Sequence, residues 1–417
     1  MLLRFSLRVL ALAAKFGLTI VIARTLGLEA VAHYGLAVAA SVIASKLFGL
    51  GFSAELNRRM SGPQCHAAIA TARALRGVYA AFYLGAAAVC LAAAWADDGW
   101  LRETARIGSW AMILFVAASE HYAFEANTYV FSVHRSRAGS AMLFVRTGGW
   151  AIVAISGLAC GMPGGIDAVF LLWALANAAV IVWAWSQLRQ VAPRDGSSAS
   201  EARRAVSRLR ETWIAGAPYY VGGVVLAGLQ YAERFVASAF LPANEVGRYV
   251  FAWSVANAVQ TICYATVGVV AAPRLARAAT ASIAEWRSSF RPLLVRTLAV
   301  SGAVALGVMA SSPLIFRMAK ETATAAGTMT LGILVVSFLL RSLGDLLWAA
   351  AVARAARGKI VIAVFLAAAC AFPASLWLIR GHGAMFVAIA HLLASALALA
   401  ALAWARSRRS ERAFSRA

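Results

Sequence analysis

The sequence predicts an all-α polytopic membrane protein, with about twelve transmembrane helices in two pseudo-symmetric six-helix bundles. Three observations predict it. Hydrophobic residues make up 62% of the 417 positions and charged ones only 13%, outside the range of a soluble globular domain. Apolar runs of about 20 residues recur along the whole chain, each long enough to cross a ~30 Å hydrocarbon core as a helix. Finally, residues 22–34 and 237–249 align without a gap, Leu26 falling on Leu241, Val31 on Val246 and Tyr34 on Tyr249. Each copy lies between two apolar runs, and their offset is close to half the chain. The repeat unit is therefore helix, tight corner, helix, within halves of about six helices each. Continuous rather than alternating apolar runs exclude a β-barrel.

Taken in order, the runs place helices over 6–24, 31–51, 75–96, 107–130, 141–160 and 167–187. The second half follows with 213–238, 247–271, 292–315, 326–352, 359–379 and 383–405. The first run contains Arg8 and Lys15 and lacks a small-residue cleavage site, so it reads as a retained helix rather than a signal peptide. Asp97 and Asp98, after the third run, read as a solvated helix cap. Trp95, Trp100, Trp110, Trp213, Trp377 and Trp404 fall near helix ends, where indoles anchor at the interface.

These runs divide the chain into an N-terminal bundle (1–188), a cytoplasmic linker (189–212), a C-terminal bundle (213–405) and a basic cytoplasmic tail (406–417). The linker holds Pro193, Gly196, a Ser-Ser-Ala-Ser run and six arginines. A short amphipathic helix near Glu201 to Arg210 is expected there, lying on anionic headgroups. Most of the 39 lysines and arginines fall in loops on one side, so the positive-inside rule puts both termini in the cytoplasm. That asymmetry also accounts for the net charge of +22, and no nucleic-acid partner is expected. The five cysteines sit in apolar runs or a loop as small apolar residues, not as a disulfide framework.

Several chemistries are excluded. No glycine-rich loop runs into Lys-Ser/Thr, so there is no nucleotide-hydrolysing site. The histidines are scattered, and no HExxH or paired CxxC supplies a metal site. No catalytic residue, metal or cofactor is expected, and with short loops the activity lies within the bundle: a transporter rather than an enzyme.

What remains is polar residues inside the bilayer, which are expensive there and so are functional candidates. Lys15, Lys46, Arg146, Arg234 and Arg341 form a cationic set suited to a phosphate or pyrophosphate. Gln230, Asn257, Gln260, Thr261 and Tyr264, on the seventh and eighth helices, suit sugar hydroxyls. Glu120, His121, Glu125 and Asp345 are the candidates for ion coupling. His121 and Glu125 are one turn apart on a shared face, as are Arg341 and Asp345, which can pair along their helix.

The Ala-Arg-x-Leu-Gly corner at 23–27 with Tyr34, followed by Gly49-Leu-Gly51-Phe and Asn57-Arg58-Arg59, resembles the first two helices of Wzx-type polysaccharide flippases. Those flippases belong to the multidrug/oligosaccharidyl-lipid/polysaccharide (MOP) exporter superfamily. Glu233 to Pro242, Asn244 to Tyr249 and Ala272-Pro-Arg-Leu-Ala276 resemble its seventh and eighth helices more closely. The resemblance implies a V-shaped pair of bundles rocking about a central cavity in the bacterial inner membrane. It implies as cargo an undecaprenyl-pyrophosphate-linked oligosaccharide, carried from the cytoplasmic to the periplasmic leaflet for O-antigen, capsule or exopolysaccharide assembly. Membrane lipids, a polysaccharide polymerase and a chain-length regulator are the implied partners. Two alternatives stay open: a cation-coupled multidrug or small-molecule exporter of the same fold, and a non-transporting scaffold of a glycan assembly complex.

Overall fold

The structure, a computed structural model, describes residues 2–62, 65–95, 110–191, 199–279, 282–354, 357–380 and 382–407. Among them the chain forms helices and no strand. In order these are α1 (Leu2–Leu26), α2 (Leu28–Phe48), α3 (Phe52–Met60), α4 (Cys65–Trp95), α5 (Trp110–Ser132), α6 (Ser136–Ala159) and α7 (Gly165–Val191). Then come α8 (Ala199–Phe240), α9 (Ala243–Ala279), α10 (Ile283–Met318), α11 (Ala325–Ala353), α12 (Arg357–Ile379) and α13 (Ala384–Ser407). Leaving aside the nine-residue α3, the long helices answer one for one to the apolar runs.

Two differences from the sequence reading have local causes. The amphipathic segment expected as a separate helix in the linker forms the first turns of α8, a single helix of 42 residues. Ala199 to Trp213 contains no glycine or proline, and its alanines, arginines and glutamates favour continued helix. The helix α3 was not expected. Its buried residues Phe52, Leu56 and Met60 fall at i, i+4 and i+8, too few turns for a period to stand out. Asp97 and Asp98, Trp100, the Pro193–Gly196 stretch and the tail beyond 407 lie outside the described residues.

Among the described residues, ten helices are long and apolar enough to cross a membrane. The two remaining long ones, α5 and α8, have the length but carry the interrupting polar residues: Glu120, His121, Glu125 and Asn127 on α5, and Glu233, Arg234 and the basic first turns on α8. Their lower hydropathy and their candidate function have the same origin.

Both repeated corners are turns. Gly27 has φ 86°, in the left-handed region a glycine enters without strain. At the second corner the Pro242 carbonyl accepts from the backbone N–H of Glu245 at 2.9 Å and of Val246 at 3.2 Å, starting α9. Val31, Tyr34, Val246 and Tyr249 are all buried.

The chain divides into two compact units, Met1–Tyr220 and Val221–Ala417. In the first, α2, α5 and α7 pack on one another; in the second, α9, α11 and α13 do so. These are the second, fourth and sixth long helices of each half, so the packing repeats as well as the corner. In the first unit α1 lies against α6 where α6 widens into a π-turn at Val145–Gly149. A Cβ on Gly148 would stand 2.4 Å from Ala11 Cα, so this close backbone approach requires glycine. A second π-turn, Tyr264–Gly268, interrupts α9.

Candidate functional site

Each unit encloses a polar network, built on its central helices. In the first unit α5 supplies the acidic groups. Glu120 is held on one oxygen by Arg146 of α6, in a buried ion pair. Its other oxygen accepts from Trp173 Nε1 of α7 at 2.9 Å. Trp173 is stacked on Trp150 with centroids 5.1 Å apart, and Trp150 Nε1 in turn donates to the Arg146 carbonyl at 2.9 Å. Lys15 of α1 lies with Nζ 5.5 Å from the Trp173 ring centroid. An ion pair out of water is tolerated only where geometry and further hydrogen bonds offset desolvation, and here an indole N–H and a π face supply the extra contacts.

One residue further on, α5 turns a different set of groups toward α3 and α4. His121 is fully buried; its Nδ1 lies 3.1 Å from the Tyr83 hydroxyl and its ring 4.6 Å from that of Tyr79. Glu125 accepts from Ser53 Oγ of α3 at 2.5 Å and from the Tyr129 hydroxyl at 2.9 Å. The three ion-coupling candidates on α5 are therefore divided. Glu120 belongs to the α6–α7 side, His121 and Glu125 to the α3–α4 side.

In the second unit Arg341 of α11 donates through Nη2 to the Leu229 carbonyl of α8 at 2.6 Å and through Nε to Ser395 Oγ of α13 at 2.9 Å. Ser337 Oγ lies 2.7 Å from both His391 Nδ1 and Ser395 Oγ. Trp253 Nε1 donates to His391 Nε2 at 3.3 Å, which assigns the imidazole proton to Nδ1. A second chain of bonds runs from Gln230 of α8 to Gln260 of α9 at 3.0 Å, and from Gln260 to Asp345 of α11 at 2.8 Å. Glu233 accepts from the Tyr249 hydroxyl at 2.8 Å, while the Arg234 guanidinium lies 3.9 Å over the Trp253 ring.

This corrects one expectation. Arg341 and Asp345 share a helix face, but Asp345 takes the Gln260 amide, and Arg341 reaches back to α8 and across to α13. The guanidinium has better-aligned acceptors on neighbouring helices than one turn along its own. Of the other expected residues, Lys46 is exposed at the end of α2, Asn257 and Thr261 are half-buried on α9, and Tyr264 is exposed at the start of its π-turn. Tyr264 and Asp345 line a cavity of about 470 Å³ among α9, α10 and α11, with Val267, Pro273, Ser342 and Trp348.

Sequence reasoning missed Trp173, Trp253, His391 and Ser395, and Ser53 of α3. His391 and Ser395 had a signal, an i, i+4 polar pair inside an apolar run. A mid-span tryptophan reads as bulk until its N–H finds a buried acceptor, and Ser53 gave none.

The fold as a whole can be compared with solved structures. Lipid II flippase MurJ, in an inward closed conformation, superposes with a TM-score of 0.70, covering 97% of this chain and 87% of that one at 12% identity. The crystal structure of a MATE protein carrying a single proline-to-alanine change superposes with a TM-score of 0.62, covering 97% of this chain and 95% of that one at 13% identity. The chain has a MurJ- and MATE-like fold. At these identities the likeness is one of architecture. No protein-family model matches the sequence, and no curated protein does.

Proposed function

We propose that the chain is a flippase of the MOP superfamily, moving an undecaprenyl-pyrophosphate-linked oligosaccharide from the cytoplasmic to the periplasmic leaflet by alternating access. The observation that carries the reading is the fold likeness to a lipid II flippase along 97% of the chain. Lys15 adds chemical support. Arg146 has a carboxylate beside it, and Arg341 is committed to a carbonyl and a hydroxyl. Lys15 Nζ rests on an indole face, with the Glu120 carboxylate acting on it through space, and donates no hydrogen bond to a described residue, which leaves its N–H donors open to an anion. With no nucleotide-hydrolysing motif in the sequence, the drive is an ion gradient or downstream consumption of the product, and for a gradient Glu120, His121, Glu125 and Asp345 are the ionisable candidates.

The likeness to a MATE protein favours a second reading, a cation-coupled small-molecule exporter. A deletion strain separates the two. Loss of surface polysaccharide with unchanged drug susceptibility supports the flippase; drug hypersensitivity with intact polysaccharide supports the exporter. A non-transporting scaffold is identified if a variant with Lys15, Arg146 and Arg341 all neutralised folds and still supports polysaccharide assembly.

A further inference from the structure

The turn between α2 and α3 is an unusual elbow. Leu50 (φ 49°) and Gly51 (φ 74°) follow one another in the left-handed region, and a leucine there is strained. Such a pair reverses the chain sharply and is the kind of short segment that absorbs a hinge rotation. Beyond it, α3 is short and amphipathic, with Phe52, Leu56 and Met60 buried.

Two ionisable groups of α5, one helical turn apart, flank this elbow. His121 faces Gly49, and a Cβ on that glycine would stand 3.4 Å from His121 Nε2. That nitrogen is buried and has no hydrogen-bond partner among the described residues. Glu125 holds Ser53, the second residue of α3, at 2.5 Å. Further along, α3 and its C-terminal turn are tied to the end of α5 through Ser132 Oγ to Asn57 Oδ1 at 2.9 Å and Ser61 Oγ to the Ser132 carbonyl at 3.0 Å.

The groups facing Glu125 come from every element around it. Among the described residues they are Ser53 of α3, Tyr129 of α5, and Tyr79 and Tyr83 of α4 and Lys46 of α2, which act through space. Neither Glu125 oxygen is in an ion pair with a described lysine or arginine; both take hydroxyl donors. An ionised carboxylate holds such donors about twice as strongly as a neutral acid does. Protonation therefore weakens the Ser53 contact at the hinge end of α3 and leaves the contacts at its far end in place.

We propose that residues 49–53 form a proton-responsive hinge, in which ionised Glu125 clamps α3 against α5 through Ser53 and protonated Glu125 lets the N-terminal turn of α3 swing on Leu50 and Gly51. His121 senses the position of the elbow, because movement of Gly49 opens its unpartnered nitrogen to water. The inference concerns this elbow alone and holds whichever cargo the chain carries.

Hydrogen exchange of the 52–60 amides tests it, on the full chain in lipid nanodiscs, after correction for the intrinsic pH dependence of exchange. Wild type should exchange there about tenfold faster in acidic than in mildly alkaline buffer, with the α5 amides protected in both. E125Q and S53A should exchange fast in both buffers. Equal α3 protection of wild type in the two buffers would overturn the proposal. So would a pH response that survives in E125Q, and a response lost in H121N but kept in E125Q would assign the proton to His121 instead. S53A keeps the carboxylate and removes only the clamp, so its α3 exchange decides the matter if E125Q fails to fold.

Discussion

Trp173 Nε1 donates to Glu120 Oε2 at 2.9 Å, joining α7 to α5 and leaving the other carboxylate oxygen to Arg146. The indole therefore completes a buried ion pair whose members lie on two other helices. Glu120→Ala strands the Arg146 guanidinium in an apolar surrounding and should destabilise the protein by about 3–5 kcal/mol. The double variant Glu120→Gln with Arg146→Met should lose much less. Thermal unfolding in detergent of Glu120→Gln, Arg146→Met and the double variant measures the coupling, and additive losses would mean that the pair is not a unit.

Gly148 sets the distance between α1 and α6. A methyl group there meets the Ala11 backbone, which cannot rotate away as a side chain could. Gly148→Ala should cost about 1–3 kcal/mol by overpacking, whereas Gly85→Ala, at an open position, should be neutral or better. The ratio of folded to aggregated protein after detergent extraction reports the difference.

Arg341 bonds in two directions, to the Leu229 carbonyl and to Ser395 Oγ. A lysine offers a single point of charge where two separated donors are needed. Arg341→Lys should fold and keep only part of the transport activity, and Arg341→Ala should lose nearly all of it. Ser395→Ala should cost about 1–3 kcal/mol by leaving the guanidinium N–H unmatched. Flux in reconstituted vesicles, set beside the melting temperature, separates the effects; wild-type flux in Arg341→Ala would remove this residue from the mechanism.

Lys15 is in no ion pair with a described residue, and a cation over an indole contributes about 0.5–2 kcal/mol. Lys15→Ala should leave the folded yield nearly unchanged while cutting transport at least tenfold. Full flux in that variant would withdraw the support Lys15 lends to an anionic cargo.

Reporter fusions test the expected topology. Those at Asp98, Gly164, Asn244 and His382 should report the periplasm, and those at Gly62, Gly196 and the C-terminus the cytoplasm. One reversed reporter would change the parity of a whole bundle.

The apolar runs by themselves determined the helical class, the number of long helices and the two repeated corners. In a membrane every backbone N–H and C=O must be satisfied within its own segment, so length and hydropathy suffice to mark a helix. The sequence also pointed to α5, α8 and α11 as the polar helices, because a charge inside a bilayer stands out against its neighbours. What it left open was the partner of each charge. Glu120 meets Trp173 and Arg341 meets Leu229 across more than fifty intervening residues, and no local period encodes such a meeting. Helix geometry put Arg341 and Asp345 on one face; packing gave each a different neighbour, since hydrogen bonds follow the distance and angle of the nearest aligned acceptor. The elbow at Leu50 and Gly51 was likewise a tertiary decision, because a leucine enters the left-handed region only where the surrounding contacts over-determine it.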